Sequence, residues 1–155
     1  MFRIALDTNV LAYLAGVDRS PQDGAKIDTT RDLIARLNEQ ATLIAPVQAL
    51  GELFVVLSRA GVSADEARSI LIEYSQSLET ADSSTTIMAS ALDLVVDHRL
   101  QYWDALILAA SAEAGATLVL SEDMQDGFVW RGLTVVNPYA ATIHRKLTAV
   151  LQPAN

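Results

Sequence analysis

The sequence predicts an α/β domain with a central, mostly parallel sheet flanked by helices. Short apolar runs alternate with longer segments of helical periodicity, the order that favours parallel strands joined through helices. The chain has 155 residues, which suits one domain with one core. Hydrophobic residues make up 51% and mean hydropathy is +0.26, enough apolar material for a sizeable core with some to spare. The excess points to a subunit interface, because monomers rarely expose large apolar patches.

Arg3 to Leu6 reads as the first strand, followed by the turn-like Asp7-Thr8-Asn9 and a short helix from about Val10 to Ala15. Val17 to Asp28 carries Pro21 and Gly24 and reads as a polar loop. Thr30 to Glu39 is helical, with Leu33, Ile34 and Leu37 on one face. Thr42 to Ala45 is a second strand. Pro46 then suits the first turn of a helix, where its missing N–H costs nothing, and that helix stops near Ala60 at Gly61. Ser63 and Glu66 have the spacing of a capping box, so another helix runs from there to about Ser77. Leu78 to Ala81 reads as a strand. Thr85 to about Val96 and Tyr102 to Ala114 are further helices, the second ended by Gly115. Thr117 to Leu120 and Leu133 to Val136 are strands, and the tail from Tyr139 to Asn155 has room for a short helix.

Composition narrows the function classes. No segment reads as membrane-spanning: the most apolar stretch, Ala105 to Leu120, is interrupted by Glu113 and Gly115, and a span needs ~20 mostly apolar residues. The first apolar run is broken by Asp7, unlike a secretory signal. There are no cysteines, which excludes disulfides and thiolate metal sites and makes a cytoplasmic location the simplest expectation. The net charge is −8, with Lys26 and Lys146 the only lysines among eleven Lys and Arg residues. This argues against broad electrostatic binding of nucleic acid, which needs cations to neutralise phosphates. Acids that hold a divalent metal weaken the objection, because the ion reverses the local field.

The acids themselves are the candidate functional residues. Ligands of open α/β sheets bind outside the carboxyl ends of the strands. Asp7 directly follows the first strand, and Asp123 lies just past the strand that ends at Leu120. Asp123 is nearer that strand end than Asp126. Each is equally readable as a helix cap or turn former. Asp104 lines up with Ile107, Leu108 and Ser111 at helical spacing, and Glu52 with Val55 and Val56. Carboxylates beside apolar faces need partners. Either they meet cations, with Asp104 facing its own helix dipole and Glu52 pairing with Arg59 or another arginine, or they converge on a metal. An all-oxygen ligand set suits Mg²⁺ or Mn²⁺, ions that serve phosphoryl chemistry. His98 and His144 show no ligand-like spacing.

Several stretches, in order, resemble the PIN-domain ribonucleases, and in particular the toxins of VapBC-type toxin–antitoxin pairs. Leu6-Asp7-Thr8-Asn9-Val10 resembles the family's opening aspartate motif, and Gln48-Ala49-Leu50-Gly51-Glu52-Leu53 the helix that carries its second acid. Tyr102-Trp103-Asp104-Ala105-Leu106-Ile107-Leu108-Ala109-Ala110 resembles the most distinctive family helix. Leu120-Ser121-Glu122-Asp123-Met124 with Val136-Asn137-Pro138 resembles the closing segment. The resemblance runs from Arg3 to about Tyr139. It implies a PIN-like three-layer sandwich, with the nuclease domain at residues 1–138 and a tail at 139–155. It makes Asp7, Glu52, Asp104 and Asp123 both the metal ligands and the catalytic residues, with Thr8, Asn9 and Ser121 as supporting contacts. It further implies Mg²⁺- or Mn²⁺-dependent endonucleolytic cleavage of RNA, leaving a 5′-phosphate and a 3′-hydroxyl. A homodimer and a small antitoxin whose C-terminal segment blocks the site, often with a basic residue reaching the acids, are the implied partners. Two other readings stand beside it. A phosphoacceptor domain normally needs a lysine near a later strand, where neither Lys26 nor Lys146 falls; a non-catalytic scaffold has no need of all four acids.

Overall fold

The strands are nearly continuous in apolar residues because helices cover both faces of the sheet, as parallel sheets require. The computed structural model describes residues 1–153. Its strands are β1 (Phe2–Leu6), β2 (Ala41–Pro46), β3 (Glu79–Ala81), β4 (Leu118–Leu120), β5 (Val129–Trp130) and β6 (Leu133–Val136). They lie in the order β3-β2-β1-β4-β6-β5. Every pairing is parallel except that of β5 with β6. The helices are α1 (Thr8–Leu14), α2 (Gly24–Leu37), α3 (Val47–Arg59), α4 (Ala64–Ser77), α5 (Thr85–His98), α6 (Tyr102–Glu113) and α7 (Arg145–Leu151).

The period of two along each strand divides the core into two layers. Ile4, Leu6, Leu43, Ala45, Leu118 and Leu120 pack with residues of α1, α2, α3, α4 and α7. Ala5, Ile44 and Val119 face the other way, onto Ile87, Leu94, Leu106 and Leu108 of α5 and α6. The result is the expected three-layer sandwich. Helix α6 is buried along Ala105 to Ser111 and supplies Ile107 to the first layer while its other residues fill the second. The helix carrying Asp104 is therefore among the best-anchored elements.

Element ends follow local chemistry. Gly61 (φ +89°) and Gly115 (φ +79°) adopt the left-handed conformation just beyond α3 and α6, at the predicted stops. Ser63 accepts from the Glu66 N–H and opens α4 as expected. The polar stretch expected as a loop through Asp28 is shorter than that. Pro21 begins a single 3-10 turn, Pro21–Asp23, that runs without a break into α2 at Gly24. A helical glycine costs about 1 kcal/mol relative to alanine, and here the new first turn gains ion pairs from Lys26 to Asp23 and Glu122. The two-residue strand β5 is also absent from the sequence-based expectation; its register, Val129 opposite Thr134, is a tertiary pairing without a local hydrophobic pattern. In the tail, α7 buries Leu147 and Val150 in the first layer. The final positions of the expected tail, 154 and 155, lie outside the described residues.

Strand β1 sits between β2 and β4, so the chain turns in opposite directions on leaving the two halves of the sheet. Such a switch point opens a crevice at the strands' carboxyl ends. Asp7 follows β1 at this point and its N–H donates to the Leu120 carbonyl of β4 at 3.0 Å.

Candidate active site

Asp7 is 3% exposed and is the only fully buried acid among the described residues. One carboxylate oxygen accepts from the Thr8 N–H at 2.7 Å, which makes Asp7 the cap of α1. The other accepts from the Ser121 hydroxyl at 2.7 Å and from the Asn9 amide at 3.2 Å. Cap and candidate ligand are thus the same group. Burial pushes its pKa up to about 6; the Ser121 and Thr8 hydrogen bonds pull it down, and the charges of Asp104 and Glu52 push it up again. The donors orient the carboxylate without supplying a positive charge.

Glu52 sits in the second turn of α3. It accepts from the Thr8 hydroxyl at 2.7 Å and from Gln48, one turn earlier, at 3.2 Å. The ion pair with Arg59 that the sequence allowed does not form. Asp104 lies in the first turn of α6, where the Gln101 side chain caps its N–H at 3.1 Å. Its half-buried carboxyl is raised by desolvation first, then by Glu52 and Asp123. Asp123 is exposed. It accepts from the same Asn9 amide that binds Asp7, at 3.3 Å, and pairs with Arg19 at 2.6 Å. The Ser121 hydroxyl, while donating to Asp7, accepts from the N–H groups of Asp123 and Met124 at 3.3 and 3.2 Å. The structure therefore brings Asp7, Glu52, Asp104 and Asp123 to one crevice, with Thr8, Asn9 and Ser121 between them.

Glu122 and Asp126 have other roles. Glu122 accepts from the Tyr13 hydroxyl at 2.6 Å and from Arg19 at 3.2 Å, and forms a close ion pair with Lys26. Burial pushes its carboxyl up, but Lys26, Tyr13 and Arg19 outweigh that and hold it below the usual range. Asp126 accepts from the Asn137 N–H at 2.9 Å and tethers the end of β6. His98 packs edge-on against Phe128, and His144 caps α7. Arg19, Tyr13 and Lys26 are the site-adjacent residues that the sequence reading missed. Only Tyr13 carried a usable signal, since it follows Asn9 by one turn of the same helix.

Among the described residues, no three His, Asp or Glu side chains form a group already arranged to hold a metal ion. The acids meet through shared hydrogen-bond donors instead. The donor chemistry nonetheless fits a hard divalent cation. All four groups offer oxygen, and a cation would relieve the mutual repulsion that raises Asp7 and Asp104. A cleft of about 540 Å³ opens beside Glu52 and Asp123, with Gln48, Arg19, Arg59 and Trp103 also on its walls. Asp123 separates it from an adjoining cleft of about 400 Å³ that reaches Asp104.

The family model of the PIN domain matches residues 4–125, a span that contains all four acids. The chain belongs to the PIN domain family. Solved structures agree on the fold. A Mycobacterium tuberculosis toxin, VapC20, described as cleaving the sarcin–ricin loop, superposes with a TM-score of 0.61 at 19% identity, covering 77% of this chain and 91% of that one. VapBC2 from Rickettsia felis, bound to a DNA fragment from its promoter, gives 0.60 at 17% identity, covering 79% and 89%. A toxin–antitoxin complex from Klebsiella pneumoniae gives 0.63 at 18% identity, covering 88% and 98%. Among curated protein sequences, none matches the chain significantly. The PIN core thus runs from β1 to the loop that holds Asp123.

Proposed function

We propose that this PIN-domain protein is a ribonuclease toxin that hydrolyses RNA phosphodiester bonds with Mg²⁺ or Mn²⁺ held by Asp7, Glu52, Asp104 and Asp123. The observation that carries this reading is the convergence of Asp7, Glu52 and Asp104: the donors to the Asp7 and Glu52 carboxylates are all neutral, and among the described residues the Asp104 carboxylate has neither a hydrogen-bond donor nor an ion-pair partner. A structural cluster of carboxylates would be expected to recruit arginine or lysine. This one leaves its charge uncompensated, as a cation site must. When bound, such ions polarise the scissile phosphate and activate water for in-line displacement, giving a 5′-phosphate and a 3′-hydroxyl. The protein's own part is orientation. Ser121, Asn9 and the Thr8 N–H fix Asp7, Thr8 and Gln48 aim Glu52, and the Asn9 amide sets the spacing of Asp7 and Asp123.

The nuclease domain spans residues 1–138, and the tail at 139–155 adds α7 to the first layer. A small antitoxin silences the enzyme by inserting a basic residue among the acids. The pairing of Arg19 with Asp123 supports this, because it demonstrates that a guanidinium suits that position. A homodimer is the second expected assembly. Met88, Leu92 and Val96 form an exposed apolar stripe at four-residue spacing on α5, and Phe54 is exposed on α3. Among the described residues no helix is long and apolar enough to cross a membrane, and a cytoplasmic site of action fits the RNA substrate.

The test is incubation of the purified protein with mixed RNA in Mg²⁺, in Mn²⁺ and in EDTA, beside Asp104→Asn. Metal-dependent cleavage that the substitution abolishes is the expected result. Cleavage that survives EDTA, or an Asp104→Asn enzyme with full activity, would overturn the assignment.

A further inference from the structure

The 540 Å³ cleft beside the acids has one wall built by a single stripe of α3. Gln48, Glu52, Val55 and Arg59 follow one another at helical spacing and all line it. Arg59 lies ~10 Å further along the helix than Glu52, at 1.5 Å per residue. It is exposed and, among the described residues, has no carboxylate partner. Trp103, 48% exposed and one position before Asp104, lines the same cleft. Its indole is braced by the Tyr102 ring at 4.9 Å and an interplanar angle of 72°. Trp103 is thus exposed at the start of a helix that is buried from Ala105 to Ser111, on the wall of the cleft that also holds Glu52 and Asp123.

We propose that Trp103 is a stacking platform for an unpaired nucleobase next to the scissile phosphate, with Arg59 taking a phosphate further along the strand. This deepens the ribonuclease reading and rests on it. The chemistry is that of single-strand recognition: an aromatic face for a base and a cation for the backbone. A protein of charge −8 cannot hold RNA by a diffuse basic surface. Local contacts of this kind are what remain. A duplex cannot offer its stacked bases to the indole, so the platform selects loops, bulges and ends. A second copy of the chain is the other way to cover Trp103. It would also seal off Glu52 and Asp123, which share the cleft, whereas the α5 stripe and Phe54 lie outside the cleft and can pair copies without closing it.

The two tryptophans make the idea measurable. In a Trp130→Phe background, Trp103 is the sole indole reporter. The full-length protein is titrated in EDTA, where a metal-dependent nuclease leaves RNA intact, with a single-stranded oligonucleotide and with a blunt duplex. Saturable quenching by the single strand, and little by the duplex, is expected. Binding of labelled single-stranded RNA should weaken roughly 5- to 100-fold in Trp103→Ala and stay near wild type in Trp103→Phe. Arg59→Gln should weaken binding and make it less salt-dependent. Affinity unchanged in Trp103→Ala, or a Trp103 signal that follows protein concentration rather than RNA, would overturn the proposal. The binding arm is independent of the cleavage arm. A chain that binds through Trp103 yet never cuts refutes the nuclease reading alone, and a chain that cuts without needing Trp103 refutes the platform alone.

Discussion

Asp7→Asn isolates the cost of gathering carboxylates. In the folded protein the Asp7 pKa is raised from 3.8 to about 6, chiefly by burial. Its protonated form is therefore favoured by folding: the stability it contributes is fully present below pH 3.8 and is lost as pH rises through about 6. A difference of about two units corresponds to ~3 kcal/mol at neutral pH, at 1.36 kcal/mol per unit. The asparagine carries no charge and never incurs that loss. It does incur another, because its NH₂ group faces the Asn9 amide and a Ser121 hydroxyl that already accepts two N–H bonds. That mismatch costs ~1–2 kcal/mol and does not vary with pH. Metal-free Asp7→Asn should thus be less stable than wild type at pH 4 and more stable at pH 7. At ~2–4 °C per kcal/mol for a chain of this length, the relative melting temperature should change by ~6–12 °C between the two. The assay is thermal melting of both proteins across pH in EDTA. Adding Mn²⁺ at pH 7 should then raise the wild-type melting temperature and leave the mutant's nearly unchanged. A stability difference that is flat with pH would refute the reasoning, for Asp7 would then be only a helix cap.

Two further substitutions probe the loop after β4. Asp123→Asn should remove most RNA cleavage in a gel assay, whereas Asp126→Asn should keep most of it, since an amide oxygen at that position can still accept from the Asn137 N–H; the reverse ranking would move the fourth ligand. Lys26→Met should destabilise the protein by ~1–2 kcal/mol at pH 7, since it leaves the largely buried Glu122 carboxylate with only Tyr13 and the exposed Arg19. Glu122 is held below its ordinary 4.5, so its contribution is present above that pH and fades as pH falls through the lowered value; equal destabilisation at pH 7 and pH 3 in denaturant titrations would exclude the ion pair as the cause.

The sheet was legible because both its faces are buried. Apolar runs such as Arg3 to Leu6 and Thr117 to Leu120 then have few alternatives, and turn chemistry at Pro46, Gly61 and Gly115 marks helix ends locally. The candidate acids were legible for a related reason: a carboxylate beside an apolar face, such as Asp104 before Ile107 and Leu108, conflicts with core packing and so stands out. What escaped depended on distant partners. Gly24 reads as a loop residue until Lys26 meets Glu122, 96 residues away in sequence. Arg19 has no local signature of its contact with Asp123. The two residues of β5 pair by tertiary register, with too little length to show a period.

The placement of charge around the crevice explains how these acids can coexist with the chain's nearest cations. Lys26 is held by Glu122 and Asp23, beside the touching rings of Tyr13 and Tyr139. Glu122 neighbours Asp123 in sequence and shares Arg19 with it, but its N–H donates to Asn9 and its carboxylate accepts from Tyr13 and pairs with Lys26. It takes up Lys26, which makes no contact with the four acids. Neutral donors do the remaining work at Asp7 and Glu52. Hydrogen bonds from Ser121, Thr8, Asn9 and Gln48 lower the cost of burial without cancelling charge, which leaves those carboxylates ready for an external cation. Only Asp123, at the exposed rim, meets an internal cation, and Arg19 there is itself half-exposed and can swing toward solvent or a phosphate. The exposed acid of the four is thus the one paired with a cation, while Asp7 and Glu52 are oriented by neutral donors alone.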